Sequence, residues 1–123
     1  MFKARDANDA DAASTYFHPD CVFQIMGSEA LHPFTRQILG KAALKDVMRA
    51  LVENWDFSGV RSIQTLVDGN TVVVRRKGGV RHIPTNTILD TEWVDIFSVK
   101  NGLIHEFSEF VDTHLVAETI RSR

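Results

Sequence analysis

The sequence has little of what would announce a compartment or a cofactor. One cysteine, Cys21, in 123 residues excludes an intramolecular disulfide framework and fits a reducing compartment. No apolar run approaches the roughly 18 residues that a bilayer crossing needs, and residues 1–11 are charged rather than built as a signal peptide. Neither charge sign dominates: 14 basic against 16 acidic side chains leave a net charge of -2. Such a chain has no field to gather nucleic acid or an anionic membrane. The five histidines and lone cysteine lack the close spacings that put metal ligands on one face, so no metal is expected. A glycine-rich phosphate loop is missing too, since Gly78-Gly79 lies inside a strand pattern and precedes no helix; no cofactor is expected. Repeats, low-complexity tracts and linker-like stretches are also absent. The expectation is one cytoplasmic domain over residues 1–123, with a small molecule as its partner and neither nucleic acid nor membrane.

What is present is a chain with 44% hydrophobic residues, long enough to bury roughly two-thirds of its unfolded surface around one core. Residues 6–17 read as an acidic, alanine-rich helix capped near Asp9 and ended by His18-Pro19. Residues 20–26 alternate as a short strand, and residues 27–40 read as a loop. The clearest helix covers residues 41–55, where Leu44, Val47, Met48, Leu51, Val52 and Trp55 make one apolar stripe. From there the period changes from 3.6 to 2. Residues 57–67, 71–83, 87–99 and 103–111 read as four strands, separated by turn-forming clusters at 68–70, 84–86 and 100–102. A short helix from about Thr113 closes the chain. Helices followed by a meander indicate an α+β fold.

Register can be argued from the turns. A three-residue loop at Lys100-Asn101-Gly102 pairs Val99 with Leu103, Phe97 with His105, Asp95 with Phe107 and Trp93 with Glu109. A bulge at Gly78-Gly79 then sets Lys77 opposite Trp93 and Arg75 opposite Asp95. One face thereby collects Arg75, Trp93, Asp95, Phe107, Glu109 and Val111, the company of a pocket rather than a core. The other face, with Val72, Val74, Ile96 and Phe110, is apolar as well and is expected to be covered by a second copy of the chain.

Ala4-Arg5-Asp6-Ala7-Asn8-Asp9, Tyr16-Phe17-His18-Pro19-Asp20-Cys21-Val22-Phe23, Gly40-Lys41-Ala42-Ala43-Leu44, Trp93-Val94-Asp95-Ile96-Phe97 and Asn101-Gly102-Leu103-Ile104-His105-Glu106 follow one another in a telling order. That order resembles the nuclear transport factor 2-like superfamily, which includes the SnoaL-like polyketide cyclases, ketosteroid isomerase and limonene epoxide hydrolase. The resemblance implies a cone-shaped α+β barrel: a strongly curved antiparallel sheet packed on N-terminal helices around a pocket, commonly as a homodimer. It also implies roles. Glu109 falls at the catalytic aspartate of the cyclases and the hydrolase, Asp95 at the isomerase's oxyanion-hole aspartate, and Arg75 at the hydrolase's pocket arginine. Ile25 and Phe23 replace polar residues of those enzymes, which disfavours steroid isomerisation and limonene-type epoxide opening.

The expected catalytic group is therefore Glu109, Asp95 and Arg75, with Trp93, Phe107, Phe23, Ile25 and Val111 gripping an apolar substrate and His82 near the pocket mouth. Two acids driven apart by their surroundings suit acid/base work; the plainer reading is an Arg75–Asp95 ion pair beside a wet Glu109. A His105–Glu109 dyad is excluded, because four residues along a strand span roughly 13 Å. The function expected is isomerisation, cyclisation, dehydration or hydrolysis of a carbonyl-containing or cyclic metabolite, or else non-catalytic binding of a hydrophobic ligand or a dimeric interaction module.

Overall fold

The computed structural model describes residues 1–121. Of the helix expected over 6–17 only α2 (Ala10–Ser14) forms, and a separate short helix, α1 (Phe2–Asp6), precedes it. The break is at Asn8, which takes a left-handed φ of 61°, a conformation that asparagine tolerates better than most residues. Asp9 then restarts the helix by accepting a hydrogen bond from the Ala12 backbone N–H at 3.0 Å. Strand β1 (Phe17–Ile25) follows, then a turn of 3₁₀-helix at Glu29–Leu31, strand β2 (Ile38–Leu39) and helix α3 (Lys41–Asn54). The meander β3 (Trp55–Asp68), β4 (Thr71–His82), β5 (Thr87–Lys100) and β6 (Leu103–Phe110) leads to helix α4 (Thr113–Arg121). No helix among the described residues is long and apolar enough to cross a membrane.

The six strands form one sheet in the order β2-β1-β6-β5-β4-β3. The sheet is mixed rather than wholly antiparallel, because β1 runs parallel to β6, pairing Phe23 with Phe107 and Ile25 with Glu109. This pairing places the first strand beside the last and completes the inner face. Helix α3 lays Leu44 and Met48 on that face, both without solvent exposure. Phe17, Phe23, Ile25, Val74, Phe97 and Phe107 pack with them. Each such side chain contributes about 1.5–3 kcal/mol on burial. A second apolar cluster, Trp55, Phe57, Val60, Val80, Leu89 and Trp93, occupies the other end of the inner face beneath α4.

Two registers differ from the sequence reading. In the last hairpin Asn101 and Gly102 both take positive φ, 53° and 77°, and form a two-residue turn between Lys100 and Leu103. An extra residue, His105, then bulges from β6, so that Phe97 faces Phe107 and Asp95 faces Glu109 directly. The β4–β5 ladder runs without a break from Thr71–Ser98 to His82–Thr87. No residue is absorbed at Gly78-Gly79, Arg76 opposes Trp93, and Arg75 opposes Val94. A one-residue slip sends a whole strand to the other face. Val72 and Val74 consequently belong to the core, while Arg75 lies outside, half-exposed and paired with Glu92.

The irregularities of the hairpin belong to β3, where the register shifts between Asp56 and Gly59 and again between Ser62 and Gln64. The glycines serve close approach. A Cβ added to Gly78 would lie 2.2 Å from the Gly59 carbonyl oxygen and 2.8 Å from the Val60 Cα, and Gly78 also sits at φ 151°. Backbone cannot move aside as a side chain can. Gly78→Ala is expected to cost about 2–4 kcal/mol in a urea titration, whereas Gly79→Ala meets only the Ile88 Cγ2 methyl at 3.1 Å and should cost clearly less.

Candidate active site

The deepest charges come together on the inner face. Asp95 on β5 and Glu109 on β6 are direct cross-strand neighbours, with Asp95 wholly buried and Glu109 nearly so. Two carboxylates side by side in an apolar interior would repel, and the chain answers with Arg5. This residue projects from α1 with no solvent exposure and donates from Nη1 to Glu109 Oε1 at 2.9 Å. Its Nη2 lies 3.9 Å from Asp95 Oδ2. Three rings surround the guanidinium: Phe57 at 4.8 Å, Phe2 at 5.2 Å and Phe107 at 5.9 Å from their centroids. The neighbouring residue of the same helix, Asp6, takes two hydrogen bonds from the buried Arg76, whose guanidinium stacks on Phe2 at 4.0 Å. Helix α1 is thus docked through both of its inward charges.

Burial pushes the Asp95 carboxyl well above the ordinary range, and the adjacent Glu109 charge and a hydrogen bond to Glu109 add to the effect. Arg5 and the Trp93 indole, whose Nε1 donates to Asp95 Oδ2 at 3.2 Å, pull the other way and do not prevail. The buried group thus sets one guanidinium against two carboxyl groups, one of them shifted upward. It is not fully satisfied: Asp95 Oδ1, Arg5 Nε and Arg5 Nη2 are buried without a hydrogen-bond partner. Unmet polar atoms at this depth are unusual in a part that only holds a fold together.

In front of Glu109 lies a cavity of about 60 Å³. Trp55, Phe57, Val80, Leu89 and Trp93 make its floor, with Ile25, Phe34 and Leu51 along one side and Leu115 and Val116 of α4 above. Glu109, Thr91 and Asp112 are its polar contributors. The wall is largely apolar, with two acids, Glu109 and Asp112, on it.

A model of the SnoaL-like domain matches residues 1–107. The chain belongs to the SnoaL-like family. Solved structures agree on the fold, which is NTF2-like. An isomerase candidate from Bacillus subtilis superposes with a TM-score of 0.86 at 15% identity, over 98% of this chain and 87% of the other. TerC, co-crystallised with polyporic acid, gives 0.81 at 18% identity, over 98% and 92%. An NTF2-like protein from Burkholderia pseudomallei gives 0.79 at 16% identity, over 98% and 88%. No curated protein matches the sequence.

In this SnoaL-like domain, Glu109, Trp93, Ile25 and Val111 of the sequence candidates line the cavity, and Asp95 stands directly behind Glu109. Phe23 and Phe107 sit deeper, in contact with each other at 5.0 Å between centroids in the main core. His82 is buried at the far end of β4, where its ring lies 4.4 Å from Trp55 and its Nδ1 is 2.9 Å from Thr85 Oγ1; Trp55 takes the cavity wall instead. Arg75 is on the other face. The residue the sequence reading missed is Arg5, buried on α1. The one available signal was indirect: two acids on an inner face need a cation, and the inward-facing cation of β4, Arg76, is engaged by Asp6. Among the described residues no group of three or more potential ligands is placed to hold a metal, and burial raises the Cys21 thiol above its ordinary value, which leaves it a poor nucleophile.

Asp95 also makes stability depend on pH. Its folded carboxyl binds a proton more tightly than the unfolded one, so the native state gains from this group fully below the unfolded value of about 3.8 and loses the gain as pH rises through the elevated folded value. Asp95→Asn keeps an acceptor for Trp93 and a donor for Glu109 without a titrating proton. Chemical denaturation between pH 4 and 9, as a range of about five units, should show the variant gaining on the wild type as pH rises. Parallel curves would contradict a raised Asp95.

Proposed function

We propose that the pocket is an acid/base site in which Glu109 moves a proton on a small, mostly apolar carbonyl-containing or cyclic molecule, with no cofactor required. One observation carries this reading: the buried Glu109 carboxylate on a largely apolar cavity wall, backed by Asp95, whose carboxyl is shifted upward, and by the buried Arg5. Arg5 holds the Glu109 carboxyl in place through its hydrogen bond to Oε1, and a base must be held in reach of the proton it takes. Asp95 stands beside Glu109 as its direct cross-strand neighbour. Abstraction of a proton beside a carbonyl and its return to another carbon would give isomerisation, and attack of the resulting enolate within the same molecule would give cyclisation. The names of similar structures, isomerase candidates from Bacillus subtilis and Rhodopseudomonas palustris and a polyketide cyclase candidate from Sinorhizobium meliloti, point the same way. The β3 irregularities and the two clusters on the inner face support a sheet that wraps as a cone around this pocket.

Proton transfer can be watched before the natural substrate is known. Deuterium uptake from D₂O by a panel of cyclic ketones and lactones, followed by NMR, should exceed the buffer rate with the wild type. Glu109→Gln is expected to lower that rate by about 10²–10⁴-fold while leaving the melting curve cooperative. Ligand binding without any exchange, equal in both proteins, would move the assignment to a non-catalytic binding protein.

We infer also that the outer face of the sheet joins two copies of the chain. Leu66, Val73 and Ile96 form one cross-strand row and Val94 and Phe110 part of the next; Leu66 is 57% exposed and Phe110 47%. The paired charges Arg75 and Glu92 at the edge of this patch offer both signs to an identical copy. Light scattering should give twice the 13.9 kDa chain mass, and Phe110→Glu should give the single mass; a monomeric wild type at micromolar concentration would end this inference.

A further inference from the structure

Helix α4 is attached differently from the other elements around the pocket. It lies beyond residue 107, where the match to the SnoaL-like domain ends. It joins β6 through Val111 and Asp112 alone. Its nine residues are too few for a helix to stand by itself in water. Several of its hydrogen bonds are internal: the Asp112 carboxylate caps the Leu115 N–H at 3.0 Å, the Asp112 carbonyl accepts from Val116 N–H at 3.1 Å, and Thr119 Oγ1 donates to the Leu115 carbonyl at 2.9 Å. Toward the sheet it presents Leu115, Val116 and Ile120, each only partly buried against the Trp55, Phe57 and Trp93 cluster. Beneath it the cavity measures about 60 Å³. That is room for a few atoms, against the roughly 300 Å³ or more of ordinary ligand pockets.

We propose that α4 is a movable roof, swinging as a unit about Val111–Asp112 to admit ligand, and that Leu115 and Val116 set the size of molecule the pocket accepts. The occupant is a flat, uncharged ring system. It would slide between the aromatic floor and these two side chains, with its polar end toward Glu109. An anion would face Glu109 and Asp112 at the cavity wall and is disfavoured. This rests on the pocket reading above, but it does not need Glu109 to move a proton.

The root of α4 offers a place to lock it. An ideal Cβ on Gly27 lies 3.8 Å from the Thr113 Cβ, the mean separation of about 3.8 Å found across disulfides. The same Cβ would meet Thr35 Cγ2 at 2.9 Å, so Thr35→Ser removes the obstructing methyl and keeps the hydroxyl that donates to the Ser28 carbonyl. In Gly27→Cys/Thr35→Ser/Thr113→Cys the oxidised and reduced forms are one chain, which separates locking from misfolding. The probe is prodan, a neutral naphthyl ketone whose emission rises in apolar surroundings, followed by stopped-flow fluorescence. Oxidation should slow its association by about tenfold or more, and reduction should restore it. Leu115→Ala/Val116→Ala should tighten its binding by about tenfold, because the roof then clears a second ring. Repeating the rates in the Glu109→Gln background should reproduce the locking effect, so a failed acid/base reading would leave the roof standing. Equal association rates in the oxidised and reduced forms, or no prodan binding by either, would overturn the proposal.

Discussion

Arg5 is the residue on which the arrangement depends. A guanidinium without solvent exposure is costly to bury, and the cost is offset only when oppositely charged partners and hydrogen bonds are close at hand. Here Glu109 and Asp95 supply the opposite charge, and Phe57, Phe2 and Phe107 supply polarisable faces. The dependence runs in both directions. Without Arg5 the two acids would face each other across β5 and β6 with nothing to separate or neutralise them. Without the acids, α1 would have no reason to send a charge into the core.

The rest of the inner face is arranged around that contact. The second charge pair of α1, Asp6 with Arg76, sits beside it and docks the same helix on β4. The bulge at His105 brings Glu109 opposite Asp95, so a local irregularity in β6 decides which residues become cross-strand partners. The parallel pairing of β1 with β6 sets Ile25 beside Glu109 and closes the apolar wall around it. The Trp93 indole, two residues along β5, reaches Asp95 and lines the cavity. A largely apolar cavity with Glu109 on its wall results from these separate placements acting together.

Cavity and main core are kept apart along the inner face. Phe23 and Phe107, residues that a reading of alternation places against substrate, belong to the cluster that holds α3 on the sheet. The cavity is left to Trp55, Phe57, Leu89 and Trp93 at the other end. Alternation along a strand tells which face a side chain takes but not how far along that face a cavity extends, because the cavity's extent is decided by the helices that cover it. For the same reason Leu115 and Val116 could not be recognised from the strands.

The sequence by itself determined the order of helices and strands, the amphipathic stripe of α3, the strand periodicity that puts Trp93, Asp95, Phe107 and Glu109 on one face, and membership in a fold family. These follow from local spacing, which every residue carries with it. The tertiary structure decided the rest: the two-residue turn and bulge that pair Asp95 with Glu109, the unbroken β4–β5 ladder that turns Arg75 outward, and the arrival of Arg5 from α1. Register across a sheet is settled by the summed burial of whole strands and not by any one turn. A cation 104 positions from its acid in the chain is found only when the fold brings both to one interior, where neither is stable alone.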